Sequence, residues 1–323
     1  MNCAARPSLI AILCAACAAP VMAAERYPER PIRLIAPYPP GGGVDLNARI
    51  LAELLGPVLG QTILVDNRPG AGSRLGIELV SKAPPDGYTL GLSAIDMAIA
   101  AALYDKLPYD TLRDFVSISL LTEQPNILVA HPSLAAKSLQ ELIALARARP
   151  GKLTYSTSGI GTGPHLATEL LALSQKVEFL HVPYKGTGPA LTGLLGNEVS
   201  FSLSTFASAL PYVKTERLRA IAVTTRMRAK TLPAVPTVAE SGSPGYEFST
   251  WYGLIAPARV PRRIVEHLSG TTVAVLSTPE ARQRYEAQGL DPIPSTPGHY
   301  AAYLRSEIEK WTKVVRAANI QLQ

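Results

Sequence analysis

Two glycine-rich segments of this 323-residue chain have the composition of an anion-binding site. The first reads Pro37-Tyr38-Pro39-Pro40-Gly41-Gly42-Gly43-Val44-Asp45. The second reads Thr157-Ser158-Gly159-Ile160-Gly161-Thr162-Gly163-Pro164-His165. Glycine lets backbone N–H groups approach a ligand with no Cβ in the way. Each segment leads into a helical pattern, whose first turn presents unpaired N–H groups and the positive end of the helix dipole. Together these suit a carboxylate or a phosphate. Neither segment holds a lysine or arginine, so the expected donors are N–H groups, hydroxyls and water rather than an ion pair. Neither matches a nucleotide fingerprint. There is no G-x-x-x-x-G-K-[ST], and Gly159-Ile160-Gly161-Thr162-Gly163 has the wrong spacing for G-x-G-x-x-G.

Both segments follow a short β-rich run, and such runs alternate with helical patterns along the chain, as in an α/β fold with mostly parallel sheets. Strands are expected at 32–36, 62–66, 88–93, 127–130, 153–156, 177–182, 199–204, 218–224 and 252–256. Ser138-Leu139-Gln140-Glu141 is a capping box opening a helix. Pro164 and Pro189 sit where a first-turn proline starts one. Leu46, Ile50, Leu54 and Val58 recur on one face of the helix after Asp45. Further helices are expected near 261–276, 279–288 and 297–318. In open α/β sheets, ligands bind at the carboxyl ends of the strands, where both glycine loops would lie.

The first residues read as an export signal. Arg6 is followed by an apolar run from Leu9 to about Val21 and the small-residue exit Val21-Met22-Ala23-Ala24. The run is shorter than the roughly 20 apolar residues a spanning helix needs. The expected organisation is a cleaved signal at 1–24, a discontinuous first lobe at 25–124 and 226–323, and a second lobe at 125–225. The crossings are expected at Thr122-Glu123-Gln124-Pro125 and Thr225-Arg226-Met227-Arg228. All three cysteines, Cys3, Cys14 and Cys17, lie in the leader, so the mature chain has no disulfide, thiol nucleophile or thiolate ligand. Cys17 lacks the leucine that a lipoprotein box has three residues earlier. The net charge of +6 becomes +5 once Arg6 is removed (6 − 1), and the charges form no basic stripe with aromatics, which argues against nucleic acid.

Nothing local assembles a reaction centre: there is no H-E-x-x-H and no G-x-S-x-G, and the five histidines are scattered. No metal or cofactor is expected. An exported hydrolase acting on a small carboxylic acid remains the alternative, because a triad is recognised by geometry and fold alone does not decide function.

The sequence resembles the Bug-type tripartite tricarboxylate transporter receptors, a family of solute-binding proteins. The matching segments run in order through nearly the whole mature chain. They begin with Tyr27-Pro28-Glu29-Arg30-Pro31-Ile32, the first glycine loop, Asp66-Asn67-Arg68-Pro69-Gly70-Ala71-Gly72 and Pro85-Asp86-Gly87-Tyr88-Thr89-Leu90. The second glycine loop, Val182-Pro183-Tyr184-Lys185-Gly186, the run 218–224 and Trp251-Tyr252-Gly253-Leu254-Ile255-Ala256-Pro257 follow. The resemblance implies a periplasmic receptor with two α/β lobes, type II-like, with a hinge and an interlobe cleft; a monomer is expected. It implies that the two glycine loops act as pincers on a carboxylate, partly through water. It also implies a membrane permease or a sensor kinase as partner.

Within that frame Gly42, Gly43, Gly161, Thr162 and Ser158 are the expected donors, and Tyr38 and Pro39 line the first loop. Ser93 and Asp96 are expected to form a third wall, and Tyr184 stands before the Pro189 helix. Ser204 and Thr205 are expected to touch the side group of the ligand. His165 either bonds the loop backbone or meets the ligand, Asp45 is expected to cap its helix, and Trp251 fits core or cleft. The family usually carries phenylalanine where Tyr38 stands. It often has an acid after Val199, where this chain reads Leu203-Ser204-Thr205-Phe206. That departure favours a plain dicarboxylate, tricarboxylate or aromatic acid over an amino acid.

Overall fold

The computed structural model describes Met1 and residues 27–317, so the expected signal segment lies outside the described residues. Strand β1 (Ile32–Ala36) pairs in parallel with β2 (Ile63–Asn67) and with β3 (Thr89–Ala94). β3 then pairs antiparallel with β9 (Ser249–Pro257), and β9 with the first part of β4 (Phe115–Ala130). The short β10 (Asp291–Pro292) closes that edge against β4. A second sheet holds β5 (Thr154–Thr157) in parallel with β6 (Leu180–Pro183) and β7 (Phe201–Thr205). β7 and β8 (Arg219–Val223) flank the last part of β4, both antiparallel. Each sheet is therefore mixed: parallel where strand–helix units repeat, antiparallel where β4 and β9 run through.

β4 belongs to both sheets. Pro125 makes the last pair with β9 at Ser249, and Asn126 the first pair with β7 at Thr205. Proline donates no ladder hydrogen bond, which suits the point where one ladder gives way to the next. The stretch 122–125 is thus extended strand rather than a break. Its polar residues hid it: Thr122 and Gln124 are fully buried, with Thr122 Oγ1 donating to Asn47 Oδ1 at 2.7 Å and Gln124 Oε1 accepting from Ala207 N at 3.0 Å.

After β8 the chain does not leave the second sheet at 225–228. Val238 N donates to Val223 O at 2.8 Å and Phe248 N to Thr224 O at 2.9 Å, and Tyr246 Oη reaches Ala167 O at 2.8 Å. Return to the first sheet comes with β9. Thr224 Oγ1 donates to Phe248 O at 2.7 Å and accepts from Asn126 N at 2.8 Å, so both crossing strands are tied at one point.

Helices cover both sheets. Those on the first are α1 (Gly43–Leu59), α2 (Arg74–Ser81), α3 (Ile95–Leu103), α8 (Arg262–Leu276), α9 (Pro279–Glu286) and α10 (Pro297–Ala317). Those of the second sheet are α4 (Leu139–Ala148), α5 (Gly163–Gln175), α6 (Thr187–Leu195) and α7 (Phe206–Lys214). The capping box at α4 forms, with Ser138 Oγ accepting from Glu141 N at 3.2 Å. The buried face of α1 runs through Val44, Ala48, Leu51, Leu55 and Leu59, offset from the expected stripe, and Val58 is 62% exposed. Trp251 is core: fully buried, its Nε1 donates to Glu307 Oε2 at 3.0 Å.

Candidate functional site

The first glycine loop joins β1 to α1. Gly41 lies at φ +89°, and its N–H is held by Asp45 Oδ2 at 3.0 Å. Burial pushes the Asp45 carboxyl up, but hydrogen bonds from Arg49, Gly41 and Asn67 outweigh it and hold the group below the usual carboxylate range. Asp45 therefore fastens the loop from behind. At Gly43 a Cβ would collide with Tyr252 Oη and lie 2.8 Å from Gln124 Nε2, so only glycine lets α1 start against these crossing-strand residues. Gly42 faces open space, with Thr187 at 3.9 Å as the nearest atom to an added Cβ.

The second loop joins β5 to α5. Gly159 and Gly161 take φ values of +143° and +76°, and Thr162 Oγ1 donates to Gly159 O at 2.8 Å. Five helices begin around the space between the loops. Gly43, Ala94 with Ile95, Pro164, Thr187 and Thr205 bring the N-termini of α1, α3, α5, α6 and α7 to one cavity. None of its lining residues is a lysine or arginine. Each helix start carries roughly half a positive charge, so their convergence suits an anion without any ion pair. The cavity measures about 20 Å³, room for a water or two.

Asp96 stands in this ring, 7% exposed. Its Oδ2 accepts from Tyr38 Oη at 2.7 Å and its Oδ1 from Gly163 N at 2.6 Å. Burial pushes the Asp96 carboxyl up against the pull of these two donors. Burial, and then Asp96 itself, drives the Tyr38 hydroxyl far above its ordinary value, so it remains a donor. Asp96 thus links the first sheet to the helix that follows the second glycine loop.

Tyr38, Pro39, Gly42, Gly43, Asp96, Ser158 and Thr205 all line the cavity, and Tyr184 lines an adjoining outer chamber. Five expected residues, Ser93, Ser204, Gly161, Thr162 and His165, line neither space. Ser93 Oγ donates to Gly253 O at 2.9 Å and shares a hydrogen bond with Tyr300 Oη, inside the β3–β9 pairing. Ser204 is buried, and its Oγ shares a hydrogen bond with Ser202 Oγ at 2.8 Å within β7. Gly161, Thr162 and His165 belong to the loop but stand behind its wall. Gly161 packs on Leu103 and Tyr104, and its N donates to His165 Nδ1 at 3.2 Å. Thr187, Thr250 and Tyr252 were missed. Thr187 follows a glycine, which signals a helix start; Thr250 and Tyr252 sit on a strand whose sequence gives no such cue.

Behind the second loop, His165 stacks on His181 with ring centroids 4.2 Å apart, and His181 stacks on Tyr155 at 4.8 Å. Burial lowers the His165 pKa to about 4, and burial with the facing His165 lowers that of His181 to about 3. Both rings are neutral in the folded protein and titrate near 6.5 when unfolded. Their contribution is therefore complete above pH 6.5 and is lost as pH falls toward about 4 and then 3. The slope is up to roughly 1.4 kcal/mol per pH unit for each ring. Urea unfolding at pH 7 and pH 5 should show this loss, and His165→Gln with His181→Gln should flatten it. An unchanged slope in the double variant would contradict the stack's role.

The family model described as "Tripartite tricarboxylate transporter family receptor" matches residues 47–320. The chain belongs to this family. BugT of Bordetella pertussis is 37% identical over 316 residues, covering 97% of both chains. Among solved structures, an R. palustris protein with adipate superposes with a TM-score of 0.89 at 33% identity, covering 91% of this chain and 99% of its own. MatC from Rhodopseudomonas palustris with bound malate gives 0.85 at 31%, covering 90% and 100%. The chain has the two-lobed periplasmic-binding-protein fold, with β4 shared by its two sheets. Among the described residues no helix is long and apolar enough to cross a membrane, and no cluster of three or more His, Asp or Glu could hold a metal.

Proposed function

We propose that this tripartite tricarboxylate receptor is periplasmic and binds a small carboxylate between its two glycine loops, then delivers it to a tripartite tricarboxylate-type permease or to a sensor kinase. The observation that carries the reading is the convergence of five helix N-termini on a cavity lined by no cationic side chain. The adipate and malate held by two relatives of the same fold support a carboxylate. We place the lobes at 27–125 with 249–317, and at 126–248, and the hinge at the two junctions, one inside β4 and one just before β9.

A receptor is favoured over a hydrolase by the chemistry of the walls. Asp96 already accepts two hydrogen bonds, and the histidine nearest the loops gives its Nδ1 to a backbone N–H. A thermal-shift screen tests the reading. A carboxylate at about 100 times its Kd should stabilise by roughly 2.7 kcal/mol, raising Tm by roughly 5 °C. The stabilising compound should be recovered unaltered after the protein is unfolded. Absence of any shift among di-, tri- and aromatic carboxylates would overturn the anion assignment, and recovery of a changed compound would overturn the receptor.

A further inference from the structure

The space between the loops is small, about 20 Å³, and suits a carboxylate head. Tyr38, Pro39 and Ser158 are walls of that space and also of a second, outer chamber of about 630 Å³. A ligand whose head lies between the loops has its continuation there. The chamber is in the size range of small-molecule sites. Its walls include the rings of Pro39, Pro69, Pro189 and Tyr184, which offer apolar surface to a chain or an aromatic ring.

Both sides of the chamber are held by the backbone. On one side, Gly70, Ala71, Gly72 and Ser73 take positive φ values of 141°, 49°, 62° and 79° in succession. A Cβ on Gly72 would lie 3.2 Å from Ile160 O, so this turn meets the second glycine loop at the rim. On the other side, Tyr184 N donates to Thr157 O at 3.1 Å, and Tyr184 Oη to Glu198 Oε2 at 2.8 Å. Gly186, at φ +126°, sits so close to Pro39 that a Cβ would fall 2.9 Å from its Cδ. Lys185 lies between these two fixed residues, lines the chamber and is exposed. Among the described residues no carboxylate pairs with it.

We infer that the outer chamber receives the distal half of the ligand and that Lys185 pairs with a second anionic group there. The ligand class is an extended dicarboxylate, with an aliphatic chain or an aromatic ring separating the two carboxylates. One carboxylate meets helix N-termini without a cation, and the other meets a solvent-facing ammonium. This inference rests on the reading that the glycine loops hold a carboxylate.

Calorimetric titration of the whole protein with adipate and terephthalate, each against hexanoate and benzoate, tests it. The dicarboxylates should bind at least tenfold more tightly than their single-headed counterparts. Lys185→Met should remove that advantage and leave hexanoate and benzoate unchanged. Because Lys185 is exposed, the variant should fold with an unaltered Tm, which a melting scan checks. Equal dicarboxylate affinity in wild type and Lys185→Met would overturn the inference and leave the receptor reading standing. So would tight binding of malate or citrate with no response to adipate or terephthalate. Failure of every carboxylate to bind would instead overturn the receptor reading itself.

Discussion

Gly42→Val abolishes carboxylate binding while the protein stays folded. Gly42 is the N-cap of α1 with φ −91° and ψ 171°, an extended conformation that valine adopts readily. An added Cβ meets nothing nearer than Thr187 at 3.9 Å, so the core is not disturbed. The two further methyls of valine then project into a cavity of about 20 Å³. They fill the place of a carboxylate head and separate α1 from α6, whose first residue is Thr187. Affinity should fall by about 100-fold or more, equivalent to roughly 3 kcal/mol, with Tm changed by no more than about 2 °C. The same substitution at Gly161 is a poorer test. That glycine lies at φ +76° against Leu103, so valine there strains the backbone and lowers stability without facing the ligand. Binding retained by Gly42→Val, measured by titration calorimetry, would move the site elsewhere.

Asp96→Ala should destabilise the fold by about 2–4 kcal/mol, because it leaves two buried donors, Tyr38 Oη and Gly163 N, without an acceptor at about 1–3 kcal/mol each. Asp96→Asn keeps an oxygen for one of them and should lose less. Equilibrium urea unfolding of the three proteins gives the order directly. Wild-type stability in Asp96→Ala would mean that the contact between Asp96 and α5 does not hold the lobes. The consequence for binding follows from the same geometry. Asp96 accepts from Gly163 N at the start of α5, so it takes up one N–H that a ligand head would otherwise use.

The two glycine loops and their helices were legible in the sequence because both features are local. A run of glycines after a β-rich segment and before a first-turn proline fixes where a helix begins, as at Pro164. The cavity wall was legible where a residue sits in a glycine loop or at a helix start, as Tyr38, Ser158, Gly43 and Thr205 do. Ser93 and Ser204 were misplaced because a polar residue at a strand end reads the same whether it faces a cleft or a neighbouring strand. Facing is set by register, which the partner strands determine: β9 for Ser93, and the packing of β7 for Ser204. The first half of β4 was hidden for a related reason. Thr122, Gln124 and Asn126 look like a loop, yet each is buried because its side chain finds a specific partner on another element. The run 225–248 is tied to elements of the second sheet by hydrogen bonds between residues distant in sequence, such as Tyr246 with Ala167, which the local sequence does not show. Lys185 shows the opposite limit. Its charge is plain in the sequence, but only the fixed backbone of Tyr184 and Gly186 on either side places it at the chamber.

The most direct test of the central claim is a crystal structure of the protein with a bound carboxylate. One carboxylate head should lie between the glycine loops, within about 3 Å or one bridging water of the backbone N–H groups at the starts of α1 and α6, with no lysine or arginine in contact with it. A head-group paired instead with a cationic side chain, or a ligand seated away from Gly42 and Thr187, would contradict the account.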